Sequence, residues 1–501
     1  MSTQTRAADI SVGGSTIAAE SRGAISTEFW SRLALPVLLA WQLMVLLDAT
    51  IVNIALSDIR TSLDFSATGL SWVVNSYALA FGGMLLLGGR AGDILGRRRM
   101  LVIGVLVFSA ASFVGGLSPN ATVLLVSRIA QGVGAAMAAP STLSLIYTNF
   151  TESESRSKAI SYFSAISGVG ASLGLVLGGV ITSALSWHWV FFINVPIGIA
   201  VAFVAPRALR ESQLQPGKFD FAGAIFSTVG VAAVVYGFIR AAEQGWTDSV
   251  TMVSFAAGVI LLVGLVFAES RVSQPIMPLS MFKNRNRMVA LVNMLLISSA
   301  MFGVFFFLTQ FLQIVHGFSP LRSGLAFLPM SISILIASRI APKGIARLGS
   351  RTLMTIGAGL LTVALFWLSR ATVDGDYWTQ IFFPFVLLGF GGGFSFMPMN
   401  LTIMSSLRPE QTGAGAGTLQ TFQQVGGAVG LAVLVTIFST RQESALADGF
   451  SALASMTEGL QNGFLAASVI ALIATVLVGV GITSPTSAAA SPETTAVVES
   501  H

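Results

Sequence analysis

Several residue types that support catalysis or cross-linking are absent or rare in this chain of 501 residues. It contains no cysteine, which excludes disulfides, thiolate nucleophiles and thiolate metal sites. Its three histidines, His188, His316 and His501, lie far apart and lack the spacing of a metal site. No Gly-x-x-x-x-Gly-Lys-Ser/Thr loop is present to bind ATP phosphates. The sequence therefore predicts neither an enzyme, nor a metal site, nor an ATP-driven pump.

Charged residues are also scarce. They make up 10% of the chain, against about 25% in soluble proteins, whereas hydrophobic residues make up 54%. The apolar residues form runs of roughly 18 to 25, and an α-helix needs about 20 residues to cross a bilayer. A transmembrane β-strand would need about half that length. The composition therefore predicts an all-α membrane protein.

Fourteen transmembrane helices are predicted from these runs. The first seven are 33–57, 70–89, 100–118, 122–148, 158–184, 188–206 and 219–241. The second seven are 249–269, 288–315, 323–341, 352–369, 379–405, 413–439 and 462–483. Because the number is even, both termini are expected on the same side of the membrane.

The basic residues predict the orientation. Of the 27 Lys and Arg residues, about 21 lie in the tails and in alternate loops, which by the positive-inside rule face the cytoplasm. The loops on the other side carry only Arg60, Arg240, Arg322, Arg370 and Arg441. We therefore expect a multi-pass protein of the plasma membrane with both termini cytoplasmic. Since the basic residues form no single stripe, no nucleic-acid partner is expected.

Two loops indicate that the chain has related halves. The segments from Gly96 to Gly104 and from Gly349 to Gly357 both begin with Gly-x-Arg and end with Ile-Gly. Related halves with a binding site between them are common in secondary transporters. The predicted division is a disordered tail (1–28), a six-helix half (29–211), a two-helix insertion (212–272), a second six-helix half (273–484) and a disordered tail (485–501). Segment 277–288 is compatible with an interfacial helix or with a basic loop.

Two charged residues lie deep within predicted spans, where burying an ionised group costs about 2.5 to 3.5 kcal/mol. Asp48 lies in the first span and Arg128 in the fourth. Burial disfavours the charged form of a carboxyl group, so Asp48 is predicted to load and release a proton. The alternative is a carboxylate hydrogen-bonded to neighbouring helices. Arg128 is then either a partner released when Asp48 is protonated or half of a constant salt bridge.

Two glycine-containing segments also stand out. The turn after the second span contains Gly89, Asp93, Gly96, Arg97 and Arg98. Its Asp93 is predicted to accept hydrogen bonds from a nearby helix N-terminus during gating, although an ordinary positive-inside loop fits equally well. The fifth span contains Gly170, Gly174, Gly178 and Gly179. This ridge allows close packing, either between the two halves or simply between neighbouring helices.

Taken together, these segments resemble the fourteen-span drug:proton antiporters of the major facilitator superfamily, from about residue 30 to 483. The family's first-span motif is matched from Leu47 to Asn53, and its loop motif by the residues just named, with departures at Ala91 and Ile94. Its span-four motif is matched by Arg128, Gln131, Gly132 and Gly134. The fifth-span glycines match the antiporter motif, except that Leu175 replaces the usual proline. Segments 187–198 and 318–325 resemble two further signatures of this branch.

The resemblance implies the major facilitator fold, with two six-helix halves plus two inserted helices. It also implies proton-coupled multidrug efflux by alternating access, with Asp48 and Arg128 in proton coupling. A dedicated exporter of one endogenous metabolite, antibiotic or lipid is the alternative. The expected partners are protons, membrane lipids and a small-molecule substrate. No cofactor is expected because the proton gradient supplies the energy, and the protein is expected to be a monomer.

The substrate is expected to be a lipophilic monocation or a neutral compound. Family members that export dications have additional acids in their second half, whereas the predicted spans nine to fourteen have none. Nine polar or aromatic residues are candidates for the lining of the cavity, with helix packing as the equal alternative. They are Trp41, Asn53, Asn75, Tyr77, Gln310, Gln313, Asn400, Gln420 and Gln423.

Overall fold

The computed structural model describes residues 29–66, 68–214, 220–271, 279–404 and 412–483. The predicted tails, 1–28 and 485–501, lie outside the described residues. Within the described ranges the regular structure is helical and includes no strand, which confirms the predicted all-α class.

Fourteen helices correspond in order to the predicted spans. They are α1 (Ala34–Ser62), α2 (Ser71–Leu95), α3 (Arg97–Gly116), α4 (Ala121–Asn149), α5 (Ser153–Ala184), α6 (Trp189–Ala208) and α7 (Phe221–Gln244), followed by α8 (Ser249–Arg271), α9 (Arg285–Val315), α10 (320–348), α11 (350–368), α12 (Trp378–Met404), α13 (Thr412–Ala447) and α14 (Ala452–Gly481). A short 3-10 helix, Leu279–Lys283, precedes α9. Within segment 277–288, residues 279–283 therefore form a 3-10 helix, and residues 285–288 are the first turn of α9.

Twelve helices in the described ranges are long and apolar enough to cross a membrane. One of them, Pro320–Leu368, has 49 residues, about 74 Å of helix at 1.5 Å per residue and therefore enough for two crossings. It breaks at Gly349, whose φ is +81°, into α10 and α11. A further helix, α5, has 32 residues and includes the apolar section Leu173–Ala184. The structure is therefore compatible with fourteen spans.

Two helices extend well beyond the predicted ends of their spans. Helix α13 continues to Ala447, past the predicted end at 439, and α14 begins at Ala452, well before 462. The side chain of Ser451 caps α14 by accepting a hydrogen bond from the backbone N–H of Ala454. Arg441 and Glu458 form an ion pair at 3.1 Å between the two extended ends. Polar helical turns thus project beyond the apolar spans from which the ends were predicted.

Glycines permit close contact among the helices of the first half. A Cβ built on Gly134 of α4 would lie 2.7 Å from both the carbonyl oxygen of Gly104 and the backbone nitrogen of Phe108 on α3. On another side of α4, a Cβ on Gly132 would lie 2.6 Å from the carbonyl oxygen of Tyr77 on α2. The span-four glycines therefore bring α4 against α2 and α3 at backbone distance.

We expect Gly134→Ala to destabilise the protein by about 1–3 kcal/mol, because the new methyl group meets backbone atoms that cannot rotate away. Thermal unfolding of the detergent-purified protein measures this effect. Gly392→Ala in α12 is the matched control, since a Cβ at Gly392 has no atom within 4 Å and alanine favours helix. Equal unfolding temperatures for the two variants would contradict the prediction.

Helix α7 packs on both halves. Its Val231 and Val235 form an apolar cluster with Leu79 of α2 and Ala428 of α13. The Oγ1 of Thr436 on α13 donates a hydrogen bond to the carbonyl oxygen of Phe238 at 2.8 Å. Helix α8 packs against α7, with Phe238 and Phe255 edge to face at 5.0 Å. The helices α7 and α8 therefore lie on the side of the bundle where α2 and α13 meet. The predicted domain boundaries stay a prediction.

The two halves also meet at the end of the molecule away from the Arg97 loop. Gln313 of α9 donates a hydrogen bond to the carbonyl oxygen of Ile54 on α1 at 2.9 Å. The backbone N–H of Leu321, at the start of α10, donates to Ser183 Oγ, near the end of α5, at 3.1 Å. These contacts close the gap between the halves at that end.

Candidate functional site

The two predicted deep charges form a buried ion pair. Asp48 lies at the midpoint of α1, and Arg128 lies about two turns into α4. Arg128 Nη1 contacts Asp48 Oδ2 at 2.6 Å, and the two residues are 1% and 0% exposed, respectively. A buried ion pair is stable only with good geometry and further hydrogen bonds. The surroundings of each partner therefore decide what the pair can do.

Asp48 accepts hydrogen bonds from three side chains. Arg128 donates to Oδ2, while Gln131 Nε2 and Asn194 Nδ2 donate to Oδ1 at 2.9 and 3.0 Å. Gln131 and Asn194 are as fully buried as Asp48. Three donors, one of them charged, thus provide hydrogen bonds to both carboxylate oxygens within the buried site.

Arg128 has partners besides Asp48. Its Nε donates to the carbonyl oxygen of Val73 at 2.9 Å, and its Nη1 donates to Gln131 Oε1 at 2.9 Å. The guanidinium carbon lies 4.4 Å from the centre of the Tyr77 ring, a cation–π distance. These contacts do not depend on the charge of Asp48. Arg128 can therefore keep its place when Asp48 becomes neutral.

The buried network extends to α3 and α6 through residues to which sequence reasoning assigned no role. Gln131 Nε2 also donates to Ser112 Oγ of α3 at 2.7 Å, and Asn194 contributes from α6. Asn194 lies within a segment recognised only as a family signature, and its position in an apolar run was the available signal. Ser112 gave no signal, because serines commonly satisfy their hydroxyl groups within their own helix.

The predicted cavity residues are dispersed. Trp41 is fully buried against Phe108, with ring centres 5.6 Å apart, and among the described contacts of the nine candidates only Tyr77 joins the Asp48 network. Asn53 and Gln310 donate to carbonyl oxygens of their own helices, and Gln313 to α1. Asn75 is fully buried, Gln420 and Gln423 are partly buried on α13, and Asn400 is exposed on α12.

The turn after α2 is shorter than predicted. Helix α2 extends to Leu95 and α3 begins at Arg97, so that Gly96 alone, with φ of +106°, separates them. Asp93 pairs with the side chain of Arg97, which also donates to the carbonyl oxygen of Pro140 on α4 at 3.2 Å. Gly89 faces the same proline, at 3.5 Å from a built Cβ. The described contacts of this motif lie within the first half.

Glu211, which follows α6, takes the capping role predicted for Asp93. Its carboxylate accepts hydrogen bonds from the backbone N–H groups of Arg98 and Arg99 at 2.8 and 3.3 Å, at the N-terminus of α3, where a negative charge is favourable. The side chain of Arg98 donates to the carbonyl oxygens of Pro206 and Leu209. These hydrogen bonds tie the basic turn to the end of α6.

The fifth-span glycines face two partners. Built Cβ atoms on Gly170, Gly174 and Gly178 would contact α1, and the one on Gly174 would overlap Thr50 Oγ1. Only the Cβ on Gly179 would meet the second half, at 2.7 Å from the carbonyl oxygen of Pro320. Three of the four glycines therefore bring α5 against the turns of α1 on either side of Asp48, and one lies at the contact between the halves.

Two histidines lie in connections outside the spans. Burial lowers the pKa of His188, and burial together with the charge of Arg322 lowers the pKa of His316. Both side chains are therefore predominantly neutral at pH 7. In the part of the chain that the structure describes, no group of three or more His, Asp or Glu residues is arranged to hold a metal ion.

Comparison with known proteins agrees with this architecture. The sequence profile of the Major Facilitator Superfamily matches residues 38–431. The puromycin resistance protein of Streptomyces alboniger is 38% identical over 466 residues, covering 91% of this chain and 92% of that protein. The cephamycin export protein of Amycolatopsis lactamdurans is 37% identical over 399 residues, or 79% and 82% of the two chains. A multidrug resistance protein of Mycobacterium tuberculosis is 31% identical over 397 residues, or 79% and 74%.

Solved transporter structures share the fold at low sequence identity. A bacterial homologue of the human lysosomal transporter Spinster superimposes with a TM-score of 0.65 at 15% identity, covering 90% of this chain and 97% of that one. A peptide transporter of the POT family superimposes with a TM-score of 0.64 at 17% identity, covering 88% and 96%. At these sequence identities the two comparisons show a shared fold of the helical bundle and nothing further.

Proposed function

Because the chain belongs to the Major Facilitator Superfamily, we propose that it exports small molecules in exchange for protons. It is a multi-pass membrane transporter and not an enzyme. Its relatives include antibiotic resistance and export proteins, so it is an efflux transporter of small molecules. The energy source, the orientation in the plasma membrane and the cargo are parts of the proposal.

The observation that carries proton coupling is the buried Asp48, whose carboxylate contacts Arg128 at 2.6 Å. Protonation of Asp48 would remove this attraction, while the Tyr77 ring and the carbonyl of Val73 would retain Arg128. A group with two protonation states inside a helix contact can bias two arrangements of the bundle. Asp48 is therefore the proposed proton carrier and Arg128 its charge-balancing partner.

The proposed cycle is alternating access. With the Arg97 loop on the cytoplasmic side, the contacts of Gln313 and Leu321 lie at the outer end, and they break when that end opens. Substrate enters from the cytoplasm or the inner leaflet and favours release of the proton from Asp48. Export follows. Asp48 is then reprotonated from outside, and each charge that moves inward gains about 2.3 kcal/mol per 100 mV of membrane potential. The transporter works as a monomer without a cofactor.

The proposed cargo is a lipophilic monocation or a neutral compound. The longer helices observed here add Glu443 and Glu458 to α13 and α14, but both acids lie in the projecting turns, Glu443 exposed and Glu458 paired with Arg441. They do not supply a deep second acid for a dication. Asp48, at the midpoint of α1, is therefore the acid proposed to balance a cationic cargo.

A dedicated exporter of one compound is the second candidate. The names of two relatives each refer to a single antibiotic, puromycin or cephamycin. A narrow exporter would use the same buried pair with a more selective cavity. Deleting the gene and comparing sensitivity to a drug panel with the profile of retained cellular products would separate the two, because only a multidrug exporter changes sensitivity to several unrelated drugs.

Uptake of ethidium, a lipophilic cation, into inverted membrane vesicles tests the proposed function. We expect dye to accumulate when the vesicle lumen is acidic and the lumen to become more alkaline as dye enters, because each exported cation is exchanged for protons. Accumulation should fall by about tenfold or more when an ionophore collapses the gradient. Vesicles lacking the protein are the control. Uptake that is unaffected by the ionophore, as in a channel, would contradict proton exchange.

A further inference from the structure

A pocket of about 530 Å³ opens on the end of the bundle away from the Arg97 loop. Its lining comes from three parts of the chain: Ser66 and Thr68 between α1 and α2, Glu243 at the end of α7, and Ser439, Gln442 and Glu443 on α13. The last two residues lie beyond the predicted end of the span. The projecting turns of α13 therefore build one wall of this pocket.

The pocket is acidic. Its lining contains the carboxylates of Glu243 and Glu443 and no basic side chain. Two arginines at this end of the bundle are paired with other acids: Arg240 contacts Asp248 at 2.7 Å and Arg441 contacts Glu458 at 3.1 Å. The two negative charges of the lining are therefore not balanced by these arginines.

The carboxylate of Glu243 is held in place by the first half. Thr68 Oγ1 and Ser66 Oγ both donate to Glu243 Oε1, the latter at 3.4 Å. Thr68 is itself buried. These hydrogen bonds fix the carboxylate against the pocket wall. Both are accepted by the same oxygen, Oε1. The other oxygen, Oε2, is therefore suited to receive a hydrogen bond from a ligand.

Ser439 gives an independent indication of a ligand. It lines the pocket, is only 3% exposed, and its Oγ has no hydrogen-bond partner among the described residues. On the neighbouring helix α14, Thr457 donates to the carbonyl oxygen of Leu453 one turn earlier, which is the usual way to satisfy a helical hydroxyl group. Buried polar groups nearly always have a partner. A bound molecule with polar hydrogens would supply the missing partner of Ser439.

We propose that this pocket binds a small organic cation bearing primary ammonium groups, of the aliphatic diamine class. Two ammonium groups balance the charges of Glu243 and Glu443, and each has three donors for carboxylate, amide and hydroxyl oxygens. The volume is within the range of small-molecule sites. A metal ion fits less well, because the described residues offer no group of three or more acidic or histidine ligands.

The position of the pocket gives the ligand a regulatory role, which rests on the proposed function. Ser66 and Thr68 belong to the first half and Ser439 to the second, so that a ligand touching both walls stabilises the arrangement in which this end is closed. Export requires that this end open. A diamine on this side therefore slows export, and by linkage it binds most tightly to the closed arrangement.

Binding is tested with the full-length protein in lipid nanodiscs by calorimetric titration with 1,4-diaminobutane. We expect saturable binding that weakens at least about tenfold in the double variant Glu243→Gln/Glu443→Gln, because glutamine keeps the shape but removes the charge. Asp374→Asn is the matched control, since Asp374 is an exposed acid in the connection between α11 and α12 at the same end. Equal affinity in the double variant, or equal binding of uncharged 1,4-butanediol, would overturn the site.

Vesicle experiments test the regulatory role separately. Diaminobutane sealed inside inverted vesicles should slow ethidium uptake at least about twofold in the wild type and leave the Glu243→Gln/Glu443→Gln variant unaffected. Equal slowing of both proteins would overturn this role. Gradient-driven accumulation of labelled diaminobutane would also overturn it, by making the diamine a transported substrate. The calorimetric result does not require transport, so a failure of the proposed function is recognised independently.

Discussion

Asp48→Asn is expected to abolish proton-driven export, lowering the initial rate of ethidium uptake into inverted vesicles at least about 100-fold. Asparagine keeps the size of the side chain and can still accept the hydrogen bonds of Gln131 and Asn194, which are now donated to Asp48 Oδ1. It cannot bind and release a proton at any accessible pH. The loss therefore concerns coupling, and the amount of protein in the membrane should stay similar.

Asp58→Asn is the matched control for this prediction. Asp58 lies in the same helix, near its end, and is partly exposed, so that the same chemical change is made outside the buried network. Uptake by this variant should stay within about twofold of the wild type. Ethidium uptake at the wild-type rate by Asp48→Asn, with normal amounts of protein, would exclude Asp48 as the proton carrier.

The buried pair could be predicted from the sequence because an ionised group in a span is costly and therefore informative. Asp48 and Arg128 are isolated charges within apolar runs, and the structure places them in contact. Their neutral partners could not be predicted in the same way. Which face of α3 or α6 turns toward α1 depends on helix packing, so Ser112 and Asn194 emerge only from the three-dimensional arrangement.

Helix ends show the same limit. The apolar pattern ends where the bilayer core ends, whereas the helices themselves end where their backbone groups are capped. Glu211 caps α3 from more than a hundred residues away, and Arg441 with Glu458 links the projecting ends of α13 and α14. Because such partners are distant in sequence, the true helix ends could not be predicted from the apolar pattern. The acidic pocket could therefore not be predicted either, since its wall includes the extended end of α13.

Glycine patterns predict close packing but not the identity of the neighbour. The ridge of α5 allowed packing either between the halves or between neighbouring helices. In the structure Gly170, Gly174 and Gly178 face α1 of the same half, and of the four glycines only Gly179 faces the second half. The choice of partner depends on how the six helices of the half surround one another. The consequence for function is that α5 restrains the part of α1 that contains Asp48.

Arg128→Met is expected to destabilise the protein by about 3–5 kcal/mol at pH 8, because it leaves the charge of Asp48 buried without a counter-ion. The thermal unfolding midpoint of the purified variant at pH 8 measures this loss. Arg60→Met, at the partly exposed end of α1, is the matched control and should lower the midpoint far less. An equal loss in both variants would contradict the prediction.

The comparison with Asp48→Asn distinguishes a proton switch from a constant salt bridge. In a switch, neutral Asp48 occurs in every cycle, so Arg128 must tolerate it, and its contacts with Tyr77, Val73 and Gln131 provide for this. Asp48→Asn should then cost less than about 2 kcal/mol at pH 8, while Arg128→Met costs at least about 3 kcal/mol. A constant salt bridge would make both losses large and similar. The double variant should be more stable than Arg128→Met alone, because no unpaired charge is left buried.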